Sequence, residues 1–181
     1  MLRKSIVGAI VCLATLCGIA GSAFANPYGS GTYNANIPYG GETSLSLTTS
    51  GTITINLTPS TSGVLSTGTD SVTVTSSDVV GYKLYIRDKD ANTNLVNGSF
   101  NISASGNASP AVLANDTWGY NTDGSSNFTG LTTSDTMLKD ANGPFTGGDN
   151  TTITYGVKAT LATASGKYTD TIQYTVVPET D

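Results

Sequence analysis

The sequence predicts an all-β fold, an antiparallel immunoglobulin-like β-sandwich that follows an N-terminal signal helix. Three observations predict it. Between Thr151 and Val177 apolar residues recur at every second position: Ile153, Tyr155, Val157, Ala159 and Leu161, then Tyr168, Ile172, Tyr174 and Val176. That period belongs to half-buried strands, one face to a core and one to water. The rest of the chain breaks into short apolar runs separated by turn signals, and no long amphipathic helical pattern occurs. The two late runs, joined across a Gly-containing turn, are expected to form a long hairpin, which cannot bury its apolar face without other strands.

The N-terminus reads as a secretory signal over residues 1–25. Arg3 and Lys4 supply the positive region, Ile6 to Leu16 the apolar core, and Ala23-Phe24-Ala25 the small-x-small cleavage site. The competing reading is an uncleaved anchor, because apolar and small residues continue to Ala25. Both cysteines, Cys12 and Cys17, lie in this segment, so the mature chain has no disulfide and must rely on its core. Leu16 stands before Cys17, where a lipobox has a small residue. Removing Arg3 and Lys4 from eight basic residues leaves six against thirteen acidic, a balance of −7. Nucleic acid, which needs clustered Lys and Arg, is not an expected partner. Neither is a membrane once the signal is gone.

Residues 26–43 form a Tyr/Gly-rich leader with two Pro-Tyr-Gly triplets, read as a flexible spacer or a self-association arm. The folded domain is placed at 44–181. Leu45, Leu47, Ile53, Ile55 and Leu57 keep one parity across Ser50-Gly51. That pattern fits a hairpin with an odd-numbered loop, or one strand kinked at Gly51 that crosses between sheets. Val72 and Val74 mark the next strand, and Tyr82, Leu84 and Ile86 a strong one. Asp88 to Asn94 is a polar loop. Leu95-Val96 is a short strand before the Asn97-Gly98 turn. Phe100 and Ile102, Trp118 to Tyr120, and Met137-Leu138 complete the set.

The chain has no histidine, and its cysteines lie in the signal. Ser-His-Asp, Cys-His and His-metal chemistry are thereby excluded. Both glutamates, Glu42 and Glu179, fall outside the expected core, and most aspartates sit in turns. The protein is therefore read as non-enzymatic. Calcium is the one cofactor the sequence offers, with Asp88, Asp90 and Asn92 as ligands at alternate positions. The loop lacks the glycine and the bidentate glutamate of a calcium hand, and its other reading is a solvated turn. Trp118 has two readings, a plug for the core or, with Tyr120 and Tyr174, a contact for carbohydrate or wall polymer. Gly166-Lys167-Tyr168 is similar to a tyrosine corner. Asp170 shares the parity of Tyr168 and Ile172, so it is expected at a sheet end in water, or beside a partner if buried.

The order GYKLYIRDKDANTNLVNGS, NDTWGYNTDG, TITYGVKATLATASGKYTDTIQYTVV resembles secreted single-domain surface proteins of Gram-positive and Saccharibacteria-type bacteria. These are similar to WxL cell-wall-binding domains. Trp118-Gly119-Tyr120 stands where such a domain has Trp-x-Leu. Tyr168, Ile172, Tyr174, Val176 and Pro178 stand where it has its closing Tyr, Thr-Trp-x-Leu and Pro. The resemblance implies a β-sandwich held non-covalently on the cell envelope, with a cell-wall polymer or another surface protein as partner and no catalysis. A second resemblance, to coat-protein-U-type pilins with short strands and a late Gly-x-Tyr hairpin, implies a fibre subunit that self-associates by strand donation. A carbohydrate-binding module is the third reading. Asp181 closely follows the last apolar run, which leaves no place for a sortase motif or a second apolar span, so retention at the extracellular surface is expected to be non-covalent.

Overall fold

The apolar run from Leu45 to Leu57 divides at Gly51, whose φ of 88° lies in the left-handed region that glycine tolerates best. In the computed structural model, which describes residues 44–180 and the backbone of 6–16, β2 (Ser44–Thr48) and β3 (Thr52–Leu57) flank this kink and join different ladders. The crossing-strand expectation is the one realised. Asp70 holds the kink: its Oδ1 accepts the Ser50 N–H at 2.8 Å, while Ser50 Oγ accepts the Ser71 N–H at 3.1 Å.

The chain is all-β and mostly antiparallel, with no helix among the described residues. One set of strands runs β2, β4 (Val64–Ser77), β10 (Asp149–Ala159), β8 (Thr117–Asn121). The other runs β3, β1 (Ile6–Leu16), β11 (Gly166–Glu179), then β5 (Gly81–Asp88) and β9 (Thr136–Asn142). The hairpin of β6 (Leu95–Asn97) and β7 (Phe100–Ala104) links the sets, β6 touching β11 at Val96↔Thr169 and β7 lying parallel to β8. Gly98, with φ 59°, makes the turn the sequence marked there.

Alternation puts Val72, Val74, Ile153, Tyr155 and Trp118 from one set, and Leu84, Ile86, Tyr168, Ile172 and Tyr174 from the other, into one core. Tyr155 and Tyr174 hydrogen-bond through their hydroxyls within it. Their two strands do not pair with each other, so the expected long hairpin is corrected. β10 pairs with β4 and β8, and β11 with β1, β5 and β6. The connection at 160–165 is pinned instead of turned back. Asp116 accepts the Thr160 N–H at 2.8 Å and the Thr163 hydroxyl at 2.6 Å, and Leu161 N–H donates to the Ser60 carbonyl. Tyr168 then donates its hydroxyl to the Ala164 carbonyl at 2.8 Å, the tyrosine corner expected from the sequence.

Burial opposes ionisation of Asp116, but the hydrogen bonds from Thr163 and Thr160 outweigh it and hold its carboxyl below the usual range. Asp116→Ala should therefore cost about 1.5–3 kcal/mol, as loss of charge-assisted hydrogen bonds does. Denaturant titration checks this, and the difference from wild type should shrink as pH falls through the depressed pKa of Asp116, where the carboxylate is protonated in both states.

Candidate functional site

β3 and β11 are one strand apart, and β1 occupies the space between them. Eleven residues of β1, Ile6 to Leu16, lie parallel to β11 in register with Gly166 to Val176. Six of them, Ile6 to Val11, lie antiparallel to β3 in register with Leu57 back to Thr52. Among the described residues β3 has no other strand partner, and β11 has none on that edge. The walls of the slot are apolar on the core side: Ile53, Ile55 and Leu57 from β3, and Tyr168, Ile172, Tyr174 and Val176 from β11 are all buried.

The segment in the slot is the one the sequence assigns to the apolar core of a signal helix. Here it is a strand. It carries β-branched Ile6, Val7, Ile10, Val11 and Thr15, and the edges of β3 and β11 offer its backbone ladder partners, on both sides from Ile6 to Val11 and on the β11 side alone from Cys12 to Leu16. The Ala23-Phe24-Ala25 site and the 26–43 leader lie outside the described residues. Sequence reasoning missed the slot because an unbroken apolar run does not distinguish a buried strand from a helix. The usable signal is the β-branched content of Ile6, Val7, Ile10, Val11 and Thr15, which suits a strand better than a helix.

The aromatic residues proposed for wall or sugar contact lie elsewhere. Trp118 and Tyr174 are fully buried and Tyr120 is 5% exposed, so none offers a ring face to a polymer. The surface-contact reading of the three is corrected to core. Strand parity turns Tyr174 inward, and the Trp118 indole donates to the Thr93 carbonyl at 3.0 Å.

The aspartates of the 88–94 loop form a second feature. Asp88 Oδ1 accepts from Asp90 N–H at 2.9 Å, Asp90 Oδ1 from Asn92 N–H at 2.8 Å, and Asn92 Oδ1 from Asn94 N–H at 3.2 Å. The alternating oxygens thus make successive Asx turns. A third carboxylate, which the sequence motif does not contain, joins them: carboxylate oxygens of Asp88, Asp90 and Asp170 lie within 4.8 Å of one another, and Asn92 lines the same cleft as Asp90 and Asp170. Asp170 is buried, not at a wet sheet end. Burial, then the neighbouring Asp88 charge, pushes the Asp170 carboxyl well above the carboxylate range, and burial likewise raises Asp88.

A raised native pKa means the folded state holds the proton more tightly than the unfolded one. Stability from this pair is then lost as pH rises above about 4, where the unfolded aspartates ionise. Asp170→Asn should flatten the fall, and subtracting its stability–pH curve in chelator from that of wild type isolates the contribution of Asp170 and its coupling to Asp88.

No protein-family model matches this chain, and a search of curated proteins finds no significant match.

Proposed function

We propose that this protein is an exported, non-enzymatic surface protein whose domain, an immunoglobulin-like sandwich, is completed by a strand from a neighbouring copy, making it a pilin-like fibre subunit. One observation carries the reading: the strand between β3 and β11 is drawn from the segment that reads as a cleavable signal. Once residues 1–25 are removed, β3 loses its pairing and β11 an entire edge. Unpaired edges of that length recruit another strand. A second copy can supply one from its leader, where Tyr33, Ala35, Ile37 and Tyr39 alternate with Asn34, Asn36 and Pro38. The buried Trp118, Tyr120 and Tyr174 favour this over a carbohydrate-binding module. The lack of histidine supports a structural role over a catalytic one.

The mass and assembly state of protein taken from the cell surface test the proposal. The expected result is a subunit starting at Asn26, in assemblies released from the envelope by guanidinium but not by moderate salt. A chain that retains residues 1–25 and stays monomeric would refute it, as would release only by wall-digesting enzymes.

A further inference from the structure

We propose that Asp88, Asp90 and Asp170 bind a divalent cation, calcium by preference, where β11 changes partner from β6 to β5. Asp88 is 1% exposed and Asp170 8%, and the Oδ2 atom of each is buried without a hydrogen-bond partner. None of the four ion pairs among the described residues includes either. Two buried carboxylates facing each other require compensation, by a shared proton or by a cation.

The surroundings suit the cation. Asp90 is exposed and brings a third carboxylate from the solvent side. A cleft of about 490 Å³, lined by Asp90, Asn92, Asn94 and Asp170 among others, opens next to it. The cleft gives an entry path and room for water to complete the coordination. All-oxygen ligands select a hard ion. Calcium accepts six to eight oxygens in irregular geometry, whereas magnesium demands a near-regular octahedron, which three carboxylates from β5, its loop and β11 do not prearrange. The site also borders the strand slot, for Asp170 stands in register with Ile10 of β1, and Ile10 with Ile53 of β3. A bound cation would tie the 88–94 loop to the wall of that slot.

The test uses the exported protein, stripped with chelator and titrated with calcium chloride near neutral pH by calorimetry and thermal melting. The expected result is one site with a dissociation constant of about 10⁻⁴–10⁻³ M, the range of extracellular modules. Several millimolar calcium should raise Tm by about 2–8 °C. Asp170→Asn should abolish the response while melting higher than wild type in chelator. Asp90→Ala, at an exposed position, should weaken binding at least tenfold. Absence of binding by wild type would overturn the proposal and leave a proton-sharing pair. Binding of unchanged affinity in Asp90→Ala, or in Asp170→Asn, would overturn it by placing the ion elsewhere.

Discussion

Trp118→Ala should lower stability by about 3–5 kcal/mol, the range for removing a fully enclosed large aromatic. Trp118 has no exposed surface and sits on β8, whose residues pair with β10 through Trp118↔Val157. Its ring belongs to the same core cluster as Tyr155, Tyr168 and Tyr174. Alanine would leave a cavity that flanking strands, fixed by their ladders, close only in part, and it would also free the Thr93 carbonyl, which now accepts from the indole. Denaturant unfolding of the variant checks this. A midpoint equal to wild type, with loss of wall or glycan binding, would restore Trp118 as a surface platform.

The other large effect is expected at the slot. Without residues 6–16, an isolated chain loses the eleven register pairs of β11 with β1 and the six of β3. Ile53, Ile55 and Leu57 then have no covering strand on that side, and the subunit should unfold at much lower denaturant than the assembled protein. A synthetic peptide of Ile6 to Leu16 should reverse this. By mass action, peptide at a hundred times its dissociation constant adds about 2.7 kcal/mol. Unfolding of dilute subunits with and without peptide measures it. A subunit equally stable in both, and as stable as the assembly, would mean that β3 and β11 close on each other.

Much of this architecture was legible from parity alone. Tyr82, Leu84 and Ile86, like Ile153, Tyr155 and Val157, announce a strand and the face it buries. Parity does not name a strand's neighbour, because cross-strand partners are chosen by the whole set of sheet edges. That is why β10 and β11, adjacent in sequence and joined by a short connection, were expected to pair. Asp116, more than forty residues upstream, pins Thr160 and Thr163 and sends the chain across to the other set of strands. The acidic cluster failed for a similar reason. Asp88 and Asp90 were visible as an alternating motif, but their third member is Asp170, which only the β5–β11 ladder brings near. The place of Asp170 on the apolar parity of Tyr168 and Ile172 was the clue. The tyrosine corner was legible because it is local, spanning Ala164 to Tyr168.

Hydrogen exchange on protein lacking residues 1–25 tests the proposed strand donation between copies most directly. The alternate amides of Gly166 to Val176 and of Thr52 to Leu57 that face β1 should be protected in the assembly and exchange quickly in dilute, dissociated subunits, while the β11 amides bonded to β5 and those of Ile153 to Val157 stay protected in both. Equal protection of β3 and β11 in a monomer without residues 1–25 would contradict a slot that another copy has to fill.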